Sequence, residues 1–318
     1  MSRFLGGRGV HALQPDDDSR AAGSGEVDGR RPDPARGGPT VLRIMLGGQL
    51  RRLREGRGIS RDTAGHAIRG SGSKISRLEL GRVSFKERDV ADLLTLYGVS
   101  DAGERAGLLE LARQAKAPGW WHQYGDVLPQ GFDAYIGLEE AASAVRIHET
   151  RVVPGLLQTP EYARAVTELS HPTASASEVE RRVSVLMRRQ ESLRGPQPPQ
   201  LWVVVDEAAL RRRVGDVDIM RAQLASLAEA VRSPRVGVQI VRPRRSAISA
   251  VTGPFSLLRF AEPSLPDIVY LELQTSALYL DKQADLSVYK RALDRLAVNA
   301  DPPTATEATL AEIVDDLG

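Results

Sequence analysis

Between Gly70 and Arg82 the chain reads GSGSKISRLELGR, and its polar residues are spaced for one kind of chemistry. On a helix over 71–80, Ser73 and Arg77 fall four residues apart on one face, flanked by Ser71 and Lys74. A short, polar, cationic face at the start of a helix suits hydrogen bonding to base edges in a DNA major groove, where arginine favours guanine. Ile75 and Leu78 turn the other way, towards a core, and Glu79, four residues after Ile75, leans inward with them. Arg54, four residues after Leu50, leans inward from an earlier helix. A charge aimed at a core needs a partner, so Arg54 and Glu79 are expected to pair.

Other chemistries find less support. There is no cysteine, which excludes disulfides, thiolate zinc sites, iron–sulfur clusters and cysteine nucleophiles together. The five histidines (11, 66, 122, 148 and 171) are scattered, with no metal-ligand spacing among them. Neither a nucleophile elbow nor a phosphate-binding glycine loop occurs. Glu139 and Glu140, with Arg151, offer an acid/base cluster, but adjacent glutamates on a helix point about 100° apart. One of them as a buried ion-pair partner is the simpler reading. Trp120, Trp121 and Tyr124, gathered in WWHQYGD, line a ligand or partner pocket with Glu139 and Arg151, or else wedge one domain against another. The expectation is a non-enzymatic protein with no metal and no cofactor.

The net charge of +2 hides a polarity along the chain. Residues 41–98 hold twelve Lys and Arg against six Asp and Glu, whereas the chain from Pro118 onward is net acidic. A local basic excess is the footprint of a polyanion-binding module. Asp16, Asp17 and Asp18 interrupt any apolar signal core, and no run approaches the ~18 to 20 apolar residues of a membrane span, so a cytoplasmic protein without membrane contact is expected.

Residues 1–39 are rich in Gly, Arg, Pro and Asp and are expected to be a disordered tail. From Val41 helical periodicity begins, with Leu46, Leu50 and Leu53 on one stripe and Gly56 and Gly58 ending it. Ser60 is a good N-cap for a short second helix, a tight turn follows at 69–71, and Gly81 stops the third helix. A fourth helix carries Val90, Leu93, Leu94 and Tyr97, and a fifth spans roughly 101–115 before the break at Pro118-Gly119. The boundaries expected are 40–117 for a DNA-binding domain and 118–318 for a second, α+β domain. In the latter a helix is expected over 135–150, a long amphipathic helix ends at Gly195-Pro196, and strands are expected at LWVVVD, VGVQIV, FSLLRF and IVYLEL.

Residues 46–97 resemble the lambda-repressor-type, Xre-like helix-turn-helix regulators: LRRLREGRGIS matches the first helix and turn of that family, and KISRLELGR its recognition helix. The resemblance implies a five-helix N-terminal domain on double-stranded DNA, in a protein that is mainly α and works as a homodimer. Carried over by position, it implies that Arg61 and Ser71 touch phosphate, with Arg69, Arg82 and Lys86 adding further phosphate contacts. This sequence departs from the pattern in three places: Arg69 stands where glycine is usual, Gly70 replaces an apolar residue, and Gly72 occupies a frequent base-reading position. Base reading therefore falls to Ser73, Lys74 and Arg77.

The segment YIGLEEAASAVRIHETRVVPGLLQTPEYARAV, with GPFSLLRF, DIVYLEL and YLDK further on, resembles the domain that follows Xre-type modules in many actinobacterial regulators, among them the Scr1-type antitoxin-like ones. That resemblance implies a ligand- or partner-sensing role for the second domain. The alternative it carries is an antitoxin-like protein that neutralises a small protein encoded nearby while regulating its own gene.

Overall fold

The computed structural model describes residues 39–116, 118–129, 131–261, 265–274 and 276–317. The expected tail lies outside the described residues, apart from Pro39, which begins the first helix. Helix α1 (Pro39–Gly56) carries Leu46 and Leu50 into a bundle with α2 (Arg61–Ala67), α3 (Gly72–Glu79), α4 (Glu87–Leu96) and α5 (Ala102–Gln114). The shared core takes Ala64 from α2, Ile75 and Leu78 from α3, and the stripe Val90, Leu93 and Leu94 from α4 with Tyr97 at its C-cap. Ser60 and Ser71 cap α2 and α3: each side-chain oxygen accepts a hydrogen bond from a backbone N–H three residues on.

The N-terminal half of α1 enters a different core. Val41, Ile44 and Met45 are buried against α6 (Phe132–Ala141) and the apolar face of a sheet. Two glycines permit the close crossings. A Cβ on Gly47 would lie 2.5 Å from the Leu78 carbonyl oxygen and 2.6 Å from that of Glu79, so α1 and α3 touch backbone to backbone. A Cβ on Gly137 of α6 would collide with the Thr40 side chain of α1.

The sheet has six strands in the order β3-β2-β1-β4-β5-β6. They are β1 (Ala144–Glu149), β2 (Gln200–Asp206), β3 (Val236–Val241), β4 (Phe255–Arg259), β5 (Ile268–Glu272) and β6 (Ala277–Leu280). β1, β2 and β3 run parallel, and β4, β5 and β6 each run antiparallel to the strand before them in that order. The parallel pairs need crossovers. Helices α7 (Pro160–Ser170) and α8 (Ala176–Gln190) join β1 to β2; α9 (Glu207–Arg211) and α10 (Val217–Ala230) join β2 to β3. After β3 come the short α11 (Ala247–Thr252) and, beyond β6, α12 (Gln283–Asn299) and α13 (Thr306–Asp315). Successive side chains serve opposite faces. Val203 and Val205 join α10 and α13 on one side, while Val204 meets Leu286, Leu293 and Leu296 of α12 on the other. The architecture is thus mainly α, with a helical N-terminal region and an α+β C-terminal region, as expected.

One expected element is wrong. The helix over 135–150 ends at Ala141, and 144–149 form β1 near the middle of the sheet. The turn to extended backbone comes at Ala142, with ψ 137°. Ser143 N then donates to Arg259 O at 2.8 Å and Ser143 O accepts from Gln200 N at 2.9 Å, so neighbours on both sides capture the chain. Helix and strand bury the same residues up to Val145; only Ile147 separates the two periodicities.

Gly47 and Gly48 make a paired test of the α1 crossing. Gly47→Ala should destabilise the protein by roughly 1–3 kcal/mol through overpacking against α3. Gly48→Ala has open space, with Arg52 Nη1 at 3.8 Å as the nearest atom, and should stabilise by up to about 1 kcal/mol through helix propensity. Urea unfolding followed by tryptophan fluorescence measures both.

Candidate nucleic-acid interface

The frame behind α3 is a buried ion pair. Arg54 and Glu79 are each 5% exposed. Arg54 Nε donates to Glu79 Oε1 and Nη2 donates to Oε2 at 3.0 Å, a two-pronged link from α1 to α3. The third nitrogen, Nη1, donates to the Ile59 carbonyl at 2.8 Å and so fixes the turn before α2. The hydrogen bond to Glu79 raises the Arg54 pKa, and burial together with the Glu79 charge pushes the Tyr97 hydroxyl up. Arg61, expected on phosphate, also turns to this carboxylate: its Nε lies 3.3 Å from Glu79 Oε2, with 45% of its side chain still exposed.

On the outer face of α3, Ser73 and Arg77 are exposed and have no side-chain partner among the described residues. Lys74, expected to read bases with them, does something else. Its Nζ donates to Asp89 Oδ2 at 2.6 Å, and that carboxylate, on the first turn of α4, is only 3% exposed. A buried carboxylate holds its counter-ion firmly, so Lys74 ties α3 to α4. Ser71 is occupied as the N-cap of α3, accepting from Lys74 N at 3.3 Å. A Cβ on Gly72 would meet the exposed Asp62 carboxylate, which would have to swing aside.

The turn between α2 and α3 keeps the geometry of a glycine with the wrong residue in it. Arg69 has φ +52°, the left-handed region, and is the sole non-glycine there among the described residues. Its side chain is exposed, as is that of Lys86 at the N-cap of α4. Arg82, expected on phosphate, points to the sheet: Nη2 donates to the Tyr279 carbonyl of β6 at 2.8 Å, and the guanidinium lies 5.2 Å from the centre of the Tyr279 ring.

Of the second group of candidates, Trp120 and Glu139 share a cavity, while Arg151 stands apart. Glu139, 2% exposed, receives two hydrogen bonds from Arg189 of α8 at 2.8 and 2.9 Å. Arg151 is exposed and meets Glu149 at 3.4 Å instead. Trp121 is buried with Ile136 and Val185, so the aromatic segment hooks α6 to α8 within the C-terminal region. Trp120 lines a cavity of about 270 Å³ with Glu139, Arg188 and Arg189, while Tyr124 lies under the Arg181 guanidinium at 5.3 Å.

Three partners had gone unnoticed in the sequence: Asp89, Tyr279 and Arg189. Asp89 reads as an ordinary acid in the first turn of a helix. Tyr279 lies 197 residues from Arg82 and Arg189 lies 50 from Glu139, so no local pattern links either pair.

These placements separate side chains committed to the framework from those left facing solvent. Lys74→Met should lower stability by roughly 1–3 kcal/mol by leaving Asp89 buried without a counter-ion. Arg77→Ala should leave stability within about 0.5 kcal/mol of wild type. Urea unfolding of both variants decides. Arg69→Gly should relieve about 1 kcal/mol of backbone strain. It should also flatten the salt dependence of DNA binding by about one charge if Arg69 lies on phosphate; affinity measured across a salt series reads this.

No helix among the described residues is long and apolar enough to cross a membrane. A helix-turn-helix domain model matches residues 45–108, which places the DNA-binding element of a regulator over α1 to α5. No curated protein and no solved structure matches the chain. A second model, for a domain of unknown function, covers residues 132–312, from the first residue of α6 into α13. That span is more than half of the 318 residues, and the chain therefore belongs to the DUF5753 family, with a helix-turn-helix domain ahead of the family's own.

Proposed function

We propose that this protein is a sequence-specific transcriptional regulator that reads its operator as a homodimer. Residues 40–117 bind the DNA, and residues 118–318 receive a ligand or a partner protein. The observation that carries this reading is the outer face of α3, where Ser73 and Arg77 stand exposed and unpartnered on a helix braced from behind by Arg54 and Glu79. Arg77 reads a base, with guanine preferred for its fork of donors. Arg69 and Lys86 hold phosphates from the flanking turns, and Arg61 does so with the part of its guanidinium that faces solvent. Lys74 is left out of base reading, since Asp89 takes up its ammonium. Arg82 reaches phosphate only when it leaves Tyr279.

Selection of bound duplexes from a random pool, run in parallel on the full-length protein and Arg77→Ala, tests the reading. Wild type should enrich a palindromic motif, and the variant should lose roughly 1–3 kcal/mol of discrimination at one base pair of each half-site. Lys86→Ala should weaken selected and scrambled duplexes alike. Equal losses on both kinds of duplex for Arg77→Ala would mean that α3 is not the reading head.

A further inference from the structure

A cavity of about 220 Å³ lies where the N-terminal bundle meets the sheet, between α1, the turn after α3, α6 and β6. Its walls are apolar at Ile44, Leu80, Leu138 and Ile268, and three guanidinium groups line it, from Arg51, Arg52 and Arg82. The acids on the lining, Glu55, Glu79 and Asp281, do not pair with all three of these cations. Glu79 is taken up by Arg54 and Arg61. Glu55 and Asp281 both face Arg51, at 3.0 and 3.9 Å. Arg52 has no partner among the described residues, and Arg82 meets only a neutral carbonyl and a ring. An apolar hollow with two guanidinium groups that meet no carboxylate on its lining is suited to an anion on an apolar body.

We propose that this cavity is an effector site for small amphiphilic anions, a single carboxylate on a short hydrocarbon chain or ring, and that its occupant opposes DNA binding. The second half rests on the reading of α1 to α5 given above. Arg82 follows α3 by three residues and bridges to Tyr279, and both line the cavity. An anion in the cavity and a phosphate on DNA compete for that one guanidinium. The coupling is reciprocal: the factor by which the anion weakens DNA binding equals the factor by which DNA weakens the anion.

Gly48 supplies a variant that fills the site without straining the fold. It lines the cavity, and the nearest atom to a Cβ there is Arg52 Nη1 at 3.8 Å. The experiment is calorimetric titration of full-length protein with octanoate, and with octanol as the uncharged body of the same length. Octanoate should bind with one site per chain, and octanol about tenfold more weakly or worse. Arg52→Ala should lower octanoate affinity about tenfold, and Gly48→Phe, checked for wild-type unfolding, should abolish it. Octanoate should then raise the Kd for the selected duplex in wild type and not in Gly48→Phe. Equal binding of octanol, or octanoate binding that ignores both substitutions, overturns the site. If octanoate binds as described but leaves duplex affinity unchanged, the antagonism is wrong and the site stands. If no duplex is enriched at all, the reading of α3 fails and the antagonism with it, while the titration still decides the cavity.

Discussion

Helix α1 serves two cores at once, and the placement of everything near α3 follows from that. An α-helix is a stiff rod whose successive residues point about 100° apart, so Val41, Ile44 and Met45 can enter the sheet's core while Leu46 and Leu50, further along, enter the bundle. The rod is gripped near its start and at its middle by contacts too close to slide. Thr40 fits against Gly137 of α6, and Gly47 lies on the α3 backbone at Leu78 and Glu79. A shift at the α1–α6 crossing is therefore carried to the platform of α3, because α1 is unbroken between Thr40 and Gly47. The C-terminal region is in this sense part of the foundation of α3.

The Arg54–Glu79 pair explains how the platform tolerates charge. Two ions removed from water lose several kcal/mol of hydration each, recovered only when geometry is good and remaining donors and acceptors are filled. Here the guanidinium meets both carboxylate oxygens and the Ile59 carbonyl, and Arg61 adds a further donor to the same carboxylate. One acid thus gathers α1, the turn before α2, α2 itself and α3. A mismatched apolar pair could pack in any of several rotations. The two-pronged link allows one orientation of α3 relative to α1, and the direction of Arg77 follows from it.

Much of this was legible because it is local. The caps Ser60 and Ser71, the stop at Gly81 and the stripe from Val90 to Tyr97 each depend on residues within a turn or two, and the Arg54–Glu79 pair follows from two helical registers read together. The failures have a common physical origin in distance along the chain. β1 was hidden because Leu138, Ala142 and Val145 fit a helical stripe, and what makes 144–149 a strand is hydrogen bonding to β2 and β4, far away in sequence. Lys74 looked free because Asp89 looked solvated. Arg82 looked free because the β6 carbonyl that holds it belongs to another part of the fold. Position 69 holds arginine rather than glycine, yet the turn adopts the left-handed backbone all the same, closed by the Gly70 N–H donating to the Gly65 carbonyl at 2.8 Å.

Counting charges accordingly overstates what DNA can meet. Residues 41–98 carry twelve basic side chains, but many are committed inside the protein. Arg54 and Arg61 share Glu79, Lys74 has Asp89, and Arg51 has Glu55. Arg43 is buried on Thr40, where desolvation lowers its pKa, and Arg57 and Arg82 donate to backbone carbonyls. Those left without partners among the described residues are Arg52, Arg69, Arg77, Lys86 and Arg88. Of these, Arg77 lies on α3, Arg69 in the turn before it, and Lys86 and Arg88 at the start of α4, while Arg52 lines the cavity. The basic excess visible in the sequence is thus divided by pairing, part of it bracing the helix and a smaller part facing outward around it. What a polyanion meets is set by which cations the protein's own carboxylates and carbonyls have already claimed.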